Sequence, residues 1–278
     1  MADRAKSLQA RLYNIAQERG APFQLILNQF GAEQFLERLS LSDYAKKFIF
    51  KGGTLLSYLI ETDRKTKDLD FSIREISNQV KELLAVIQNI MNIKIDDEIA
   101  WTTPQGEVID HLAMDYPGAR IKCPFFLGNM KGFVRMDLAL GDRVKAQWIP
   151  LPKLNNRGTL LAGKNFKMLT YPPESIFSEK LHAAVTRGTE NTRMKDFYDL
   201  HKLCQTRLLD PATLKEALTS TFNRRETALP TEIKWDNPGL EKIQDLWDRY
   251  LRKEGLEGAP KTIAEIIDTI NEQLTNTF

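Results

Sequence analysis

Two short stretches decide the fold: FIFKGGT at residues 48–54 and DLDFSI at residues 68–73. The first begins with aromatic and β-branched residues, which are typical of a buried strand, and its glycine pair then breaks the strand. Leucines follow at helical spacing over residues 54–61. In the second stretch apolar and polar residues alternate, as they do in a half-buried strand. The sequence therefore predicts a strand–turn–helix–strand unit.

The second stretch places two carboxylates close together. In a strand, residues i and i+2 share a face, so Asp68 and Asp70 point one way while Leu69 and Phe71 point towards the core. Two negative charges this close repel each other unless a cation lies between them. Mg²⁺ suits this position, because it takes oxygen ligands at roughly 2.0–2.1 Å and keeps several waters. The pair predicts a metal site with Asp68 and Asp70 as ligands.

A third carboxylate fits the same logic. Residues 133–140 alternate in the same way, and Asp137 falls on the polar face beside Arg135. If this strand pairs near the Asp68 strand, three carboxylates converge. A one- or two-metal site for phosphoryl transfer needs such an arrangement. We therefore add Asp137 to the predicted metal ligands.

The glycine pair lies where a strand passes into a helix. Gly52 and Gly53 allow backbone N–H groups to approach a phosphate, and the helix N-terminus adds its positive dipole. Thr54 could cap the helix or bond a phosphate oxygen. The pair is not a P-loop, because no Gly-Lys-Ser/Thr follows it. A glycine pair of this kind is otherwise only a turn.

A second group of charged residues occurs far along the chain. On a helix over 174–187, Lys180 lies in an apolar stripe and Arg187 shares its face. Two cations on one half-buried face suit a triphosphate, although a single lysine there could simply extend to water. Asp196 opens the next helix, where an acidic residue could also act only as a partner of the helix dipole.

The remaining periodicity predicts an α+β front half and a helical back half. The boundary falls somewhere in 150–172, and we place the domains at residues 1–165 and 166–278. The predicted strands cover 48–51, 68–73, 108–114, 119–127 and 133–140. The predicted helices comprise one ending near Gly20, and others over 22–39, 54–61, 79–91, 174–187, 195–206, 211–221, 238–253 and 262–275.

Composition excludes several classes of protein. The 278 residues carry 39 Lys and Arg against 37 Asp and Glu, a net charge of +2, which excludes a uniformly cationic binder. Two cysteines provide no disulfide framework, and three histidines without ligand spacing argue against a His-based hydrolase. The sequence shows neither a signal peptide nor an apolar run long enough to span a membrane. We expect a soluble, cytoplasmic protein.

Four motifs in order resemble those of one family. They are Gly-Gly-Thr-x-Leu at 52–56, Arg64-x-Thr66-x-Asp68-Leu69-Asp70, Glu179-Lys180-Leu181, and Arg187 followed by Arg193-x-Lys195-Asp196-x-Tyr198-Asp199-Leu200. This pattern resembles the AbiEii/AbiGii nucleotidyltransferase toxins, relatives of the MenT toxins in the DNA polymerase β-like superfamily. The resemblance implies a nucleotidyltransferase fold, with a mixed β-sheet and flanking helices, followed by a helical C-terminal domain that completes the active site.

The resemblance also implies roles for individual residues. Those implied to hold the nucleotide are Gly52, Gly53, Thr54, Arg64, Lys180, Arg187 and Lys195. Asp68 and Asp70 correspond to the metal-binding pair, with Thr66 as the hydroxyl residue beside them. Asp196 corresponds to the acidic residue of the last motif, which is needed for activity in relatives. With Lys180, these side chains form the predicted catalytic set.

The implied reaction transfers a nucleoside monophosphate from a nucleoside triphosphate (NTP), with Mg²⁺ or Mn²⁺, to an acceptor, and releases pyrophosphate. In MenT-type relatives the acceptor is the 3′ end of tRNA, and translation stalls. The family also implies a cognate antitoxin, encoded nearby, as a partner. Basic residues interleaved with Trp148, Phe166 and Tyr171 favour an RNA acceptor. Transfer to a protein hydroxyl, or a non-catalytic nucleotide-binding module, remain the alternatives.

Overall fold

The computed structural model describes residues 2–62, 66, 68–77, 79–109, 118–140, 144–156, 158–256 and 258–278. The chain divides into two compact units. The first contains Met1–Tyr58 and Lys67–Thr170, and the second contains Leu59–Thr66 and Tyr171–Phe278. The strand that ends at Thr170 pairs with two other strands of the first unit. The first unit therefore ends after the domain boundary that was expected at residue 165.

The first unit is a mixed sheet with helices. Its helices are α1 (Ala2–Glu18), α2 (Phe23–Leu41), α3 (Gly52–Leu59) and α4 (Val80–Met91). Its strands are β1 (Phe48–Lys51), β2 (Asp68–Ile73), β3 (Ile99–Trp101), β4 (Gln105–Ile109), β5 (Gly118–Leu127), β6 (Met130–Leu140), β7 (Gln147–Leu151), β8 (Asn155–Asn156), β9 (Thr159–Leu160) and β10 (Phe166–Thr170). The predicted α+β class is confirmed.

Strand order brings distant parts of the chain side by side. The large sheet runs β3-β5-β6-β2-β1-β10-β7, with β4 also paired to β5, and β8 with β9 forms a separate hairpin. Strand β2 runs parallel to β6 and antiparallel to β1. The expected pairing of the Asp68 strand with the Asp137 strand is therefore present in the fold.

One face of this sheet is apolar and covered by helices. Phe71, Met136 and Leu138 are almost completely buried, as the strand alternation predicts. Helix α2 packs on β6 and contacts both α1 and α4. Ring carbons of Phe125 lie so close to Gly31 of α2 that no side chain fits there. This contact explains how the helix comes so near the sheet.

The second unit is helical. It contains α5 (Pro173–Arg187), a 3₁₀ turn (Gly188–Glu190), α6 (Met194–Cys204), α7 (Pro211–Arg224), α8 (Asn237–Glu254) and α9 (Ile263–Thr277). Local sequence sets where these helices begin. Asp210 caps α7 by accepting the Thr213 N–H at 2.9 Å, and Pro211 follows it, where a missing N–H costs nothing. Asp236 caps α8 in the same way.

The strand assignment differs from the expectation in one boundary and in several strands that were not predicted. Strand β4 begins at Gln105 instead of residue 108, and residues 110–114 of the predicted strand lie outside the described residues. The short strands β3, β8 and β9, and strands β7 and β10, were not predicted; β10 lies at the expected domain boundary. No helix in the described residues is both long and apolar enough to cross a membrane.

Candidate active site

The polar face of the sheet carries charged side chains in two rows. In the first row, Lys51, Asp70, Asp137 and Arg120 are register partners on β1, β2, β6 and β5. Side chains that are in register on neighbouring strands share a face, with Cβ atoms about 5 Å apart. The first row therefore has two cations at its ends and two carboxylates between them.

The second row contains Asp68, Arg135 and Lys122 on β2, β6 and β5. Arg135 donates a hydrogen bond to Asp68 Oδ1 at 3.3 Å. The side chain of Asp68 is 39% exposed and that of Arg135 is 38% exposed. Solvent screens a pair this open, so it contributes little to stability. An open carboxylate of this kind remains accessible to a ligand.

Asp137 has a different environment. Arg120 Nε and Nη2 each donate to one of its carboxylate oxygens at 2.8 Å, which is a bidentate ion pair. The structure brings Asp137 beside Asp70 as predicted, but in this arrangement Arg120 occupies both of its oxygens. Within the described ranges, no group of three or more His, Cys, Asp or Glu side chains is arranged to hold a metal ion. The assignment of Asp137 as a third ligand stays a prediction.

The glycine turn holds β2 in place. Gly52 has φ +76°, in the left-handed region, and a Cβ there would lie 2.6 Å from Asp70 Cγ. Only glycine fits both the backbone conformation and the approach of the carboxylate. Thr54 Oγ1 donates to the Asp68 carbonyl at 2.6 Å, so this hydroxyl ties the turn to β2 and does not cap the helix. Gly53 is half-buried beside them.

Asp68 and Asp70 are suited to a divalent cation. Both belong to the same strand face, both are partly exposed, and both supply the hard oxygen donors that Mg²⁺ prefers. Magnesium in such sites commonly takes one or two carboxylates and completes its shell with water and substrate phosphates. The pair satisfies this requirement without a third protein ligand.

The second unit contains a buried cluster of opposite charges. Lys180 on α5 lies 2.7 Å from Asp196 Oδ1 and 2.8 Å from Asp199 Oδ2, both on α6. The Lys180 side chain is 12% exposed, and those of Asp196 and Asp199 are 1% and 2% exposed. Residues 196 and 199 are one helical turn apart, so their carboxylates converge on the same cation. Lys180 therefore does not extend to water, as a lone lysine on this face could.

Burial and pairing act in opposite directions on these groups. Burial by itself lowers the pKa of Lys180, but the negative charges of Asp199 and Asp196 raise this pKa by more than burial lowers it. The pKa of Lys180 is therefore above its ordinary value. Burial likewise favours protonation of Asp196, whereas Lys180 and Arg193 bring its pKa down to about 2. Arg193 Nε approaches Asp196 Oδ2 at 2.6 Å. At neutral pH the cluster therefore holds Lys180 as a cation and Asp196 as an anion.

The other predicted nucleotide-binding and catalytic residues lie in several parts of the chain. Lys195 is exposed on α6, one residue before Asp196, and Arg187 is half-buried at the end of α5. Thr66 is half-buried and belongs to the second unit, whereas Asp68 belongs to the first. Arg64 lies outside the described residues.

Sequence reasoning missed several charged residues beside the carboxylates. It did not assign Arg120 or Lys122, although both alternate with buried residues along β5 and so share the polar face. That alternation was the available signal, but it did not reveal that β5 lies next to β6. Two of the three aromatic residues expected to favour RNA binding are too buried to stack on a base, because Phe166 is 8% exposed and Tyr171 is fully buried. Trp148 is 45% exposed.

Two solved structures resemble this chain. MenT4, the nucleotidyltransferase toxin Rv2826c from Mycobacterium tuberculosis H37Rv, resembles this chain with 16% identity and a TM-score of 0.57, over 96% of this chain and 89% of MenT4. JHP933 from Helicobacter pylori resembles it with 13% identity and a TM-score of 0.47, over 91% of each chain. No curated protein gives a significant sequence match.

The similarity to MenT4 supports a nucleotidyltransferase fold for this chain. The family model described as "Nucleotidyl transferase AbiEii toxin, Type IV TA system" matches residues 34–269, which is most of the sequence. The chain therefore belongs to the AbiEii family of nucleotidyltransferase toxins from type IV toxin–antitoxin systems.

Proposed function

We propose that this toxin transfers a nucleoside monophosphate from an NTP to an RNA acceptor, the 3′ end of tRNA, and thereby blocks translation. The observation that carries the proposal is the pair of partly exposed carboxylates, Asp68 and Asp70, of which Asp70 packs against the turn at Gly52. Two carboxylates beside a glycine turn can hold a divalent cation and leave backbone N–H groups for phosphates.

The reaction forms one bond and breaks another. The acceptor hydroxyl oxygen bonds to the α-phosphorus, and the bond from that phosphorus to the bridging oxygen breaks. Pyrophosphate leaves with the bridging oxygen, and the hydroxyl proton passes to solvent. When bound, Mg²⁺ or Mn²⁺ would neutralise phosphate charge and make the acceptor hydroxyl more acidic. Asp68 and Asp70 would hold the ion, with Asp137 as a further ligand when Arg120 is drawn away.

In this proposal, the charged cluster of the second unit provides positive charge for the triphosphate. A lysine ammonium has three donors, and Asp196 and Asp199 accept from two of those on Lys180. We propose that the third donor meets the triphosphate, with the two carboxylates keeping the lysine charged and fixed in direction. Arg193, whose side chain is 43% exposed, together with Arg187 and Lys195, would add positive charge for the phosphates. Arg64 and Thr66 are proposed to contribute at the nucleotide and metal, as in relatives.

The family also gives the proposal its biological setting. A type IV toxin–antitoxin system includes an antitoxin, so we propose a cognate antitoxin protein, encoded nearby, as the partner that relieves toxicity. Growth of cells that express the toxin, with and without the neighbouring gene, tests this point. Toxicity that is unchanged by every adjacent gene would contradict it.

Labelled transfer tests the reaction and the acceptor together. Purified protein is incubated with total RNA, Mg²⁺ and each α-labelled NTP in turn. We expect label in a tRNA-sized band from one nucleotide, and none with Asp68→Ala. Asp43→Ala is the matched control, because this aspartate is exposed and precedes β1, whereas the glycine turn follows that strand. It should label RNA as the wild type does.

Three results would overturn parts of the proposal. Label in protein and not in RNA, when lysate replaces total RNA, would move the activity to nucleotidylation of a protein hydroxyl. Label in RNA that persists in Asp68→Ala would show that Asp68 does not hold the catalytic metal. If no substrate is labelled while the protein still binds an NTP, the chain is a binding module.

A further inference from the structure

Beside the carboxylates, the polar face of the sheet carries an aromatic ring between two cations. Phe133 on β6 has Lys122 Nζ 4.9 Å and Arg135 Cζ 5.6 Å from its ring centroid. Both distances fall within the range of a cation–π interaction. We call Lys122, Phe133 and Arg135 the cationic strip. It lies entirely in the first unit, on adjacent antiparallel strands.

The strip is accessible and positively charged. Lys122 is exposed, and Phe133 and Arg135 are half-buried. Among the described residues Lys122 has no ion-pair partner, and its ammonium group lies over the Phe133 ring. Arg120, the next cation on β5, adds a guanidinium whose side chain is 41% exposed. A surface that combines exposed cations with an aromatic ring matches the phosphates and bases of a single-stranded nucleic acid.

The position of the strip relative to the carboxylates shows which substrate it meets. Arg135 is the register partner of Asp68, and Lys122 is the next partner, about 10 Å from Asp68 at 4.8 Å per strand. The glycine turn follows β1, which is the neighbour of β2 on the other side. The carboxylates therefore lie between the glycine turn and the strip.

Phosphoryl transfer places the attacking and leaving oxygens in line, on opposite sides of the phosphorus. If the glycine turn holds the phosphates that leave, the acceptor approaches from the opposite side of β2. That side is formed by β6 and β5, where the strip lies. This argument rests on the proposed function, because it takes the nucleotide phosphates to bind at the glycine turn.

We infer that the cationic strip binds the single-stranded 3′ segment of the RNA acceptor, with Lys122 and Arg135 contacting its phosphates. Phe133 is a positioning residue, since its ring holds both cations above the sheet. Binding of a divalent cation at Asp68 would weaken the Asp68–Arg135 pair, because the ion competes for the same carboxylate. Arg135 then becomes available to the RNA as the site becomes active.

The test separates RNA binding from NTP binding. Anisotropy of a short fluorescein-labelled single-stranded RNA is measured over a range of salt concentrations for the full chain and its variants. For Lys122→Ala we expect RNA affinity to fall roughly three- to tenfold, and the slope of log affinity against log salt to fall by about 0.7, the value for one phosphate contact on a single strand. The KM for the NTP should not change.

Phe133 variants and a matched lysine complete the series. Phe133→Leu removes the ring and should weaken RNA binding by roughly two- to fivefold, whereas Phe133→Tyr keeps the ring and should retain it. Lys94→Glu is the control, because Lys94 is an exposed lysine of the same unit on the loop after α4. It should leave both RNA affinity and transfer unchanged.

Each contrary result has a distinct meaning. A rise in the KM for the NTP with RNA affinity unchanged would assign the strip to the triphosphate. No change in either quantity for Lys122→Ala and Phe133→Leu would make the strip an ordinary surface cluster. Both results overturn the inference while leaving the proposed function intact, provided that the wild type labels RNA. A wild type that labels only protein and binds no RNA would overturn both.

Discussion

Lys180 joins two buried carboxylates, and this arrangement gives it two roles at once. Asp196 and Asp199 are both almost fully buried, and each lies within 2.8 Å of the ammonium. Removal of one partner from a buried ion pair is costly, because the charge that remains has lost its compensation. Loss of activity in a Lys180 variant would therefore not by itself show that Lys180 contacts substrate.

Lys180→Met should lower the free energy of unfolding by about 3–5 kcal/mol, because it leaves two carboxylates without their shared cation. Urea denaturation measures this change. Lys234→Met is the control, since the Lys234 side chain is 81% exposed, and it should change stability by less than about 0.5 kcal/mol. Equal urea midpoints for Lys180→Met and the wild type would contradict the cluster's stabilising role.

A compensating variant separates stability from chemistry. Lys180→Met combined with Asp199→Asn removes one of the two stranded charges, so it should recover part of the lost stability. If Lys180 also contacts the triphosphate, nucleotide transfer should remain absent in this partly restabilised protein. Recovered transfer would show that Lys180 serves only the fold.

At the scale of elements, the turn between β1 and α3 depends on glycine for two reasons. Gly52 combines a positive φ with the close approach of the Asp70 carboxylate. Gly52→Ala should therefore cost about 1–2 kcal/mol for the backbone, and a further amount for the displacement of Asp70. We expect nucleotide transfer to fall as well, and both quantities can be measured on the purified variant.

Gly158→Ala is the matched control for this turn. Gly158 has φ +82°, but no atom lies within 4 Å of the position that a Cβ would take. It should show the backbone cost alone and leave transfer unchanged. Equal losses of stability and activity in the two variants would mean that contact with Asp70 has no part in the effect.

A buried polar network joins helix α2 to the connection between β7 and β10. Lys153 donates to Glu37 at 2.6 Å and to the Ala162 carbonyl at 2.9 Å, and Glu37 also accepts the Lys164 N–H at 2.9 Å. These bonds tie the connection around the β8–β9 hairpin to the helix. They also explain why polar residues of α2 are buried, which the helical periodicity alone would not suggest.

Glu33 of α2 should make stability dependent on pH. Burial raises its pKa from 4.5 to about 8, against the opposing effects of the Leu154 N–H, Lys153, Gln29 and Arg19. Because the pKa is higher in the folded state, the contribution of Glu33 is complete below about pH 4.5 and is lost as pH rises towards 8. The folded protein should therefore lose stability across this range.

Glu33→Gln should remove this part of the pH dependence, since the amide is close in shape and does not titrate. In thermal melts from pH 5 to pH 8.5, the melting temperature of the variant should rise relative to the wild type as pH increases. Glu18→Gln, at an exposed position on α1, should melt in parallel with the wild type. Parallel curves for Glu33→Gln would contradict the raised pKa.

At the scale of the whole molecule, the proposed reaction uses charged side chains from both units. They are the carboxylates of β2 in the first unit and the cluster around Lys180 in the second. Groups that act in one chemical step give strongly non-additive losses when they are removed together. Asp68→Asn and Asp196→Asn should each lower kcat by roughly a hundredfold or more. The kcat of the double variant should be no more than about tenfold lower than that of the less active single variant.

The measurement is the rate of labelled transfer by variants whose circular dichroism shows that they are folded. Asp43→Ala combined with Asp68→Asn serves as the control, and it should behave as Asp68→Asn alone. Losses that multiply in the Asp68 and Asp196 double variant would indicate that the two groups act in separate steps.

Local sequence determined the elements of this protein and the faces that they bury. Alternation placed Asp68 and Asp70 on the polar face of β2, and helical spacing located α5 and α6 with Lys180 and Asp196 on them, because both periods are set by backbone geometry. The edge strand β7 was not predicted, because it contains Pro150 and only one buried residue.

Tertiary structure decided the partners of the charged residues. Arg120 pairs with Asp137, Arg135 pairs with Asp68, and Lys180 pairs with two carboxylates. All of these pairs depend on contacts between different elements of the fold. Periodicity shows which face of an element is polar, but it carries no information about which element lies opposite. The choice of neighbour follows from burying the apolar faces together, and only the folded chain determines it.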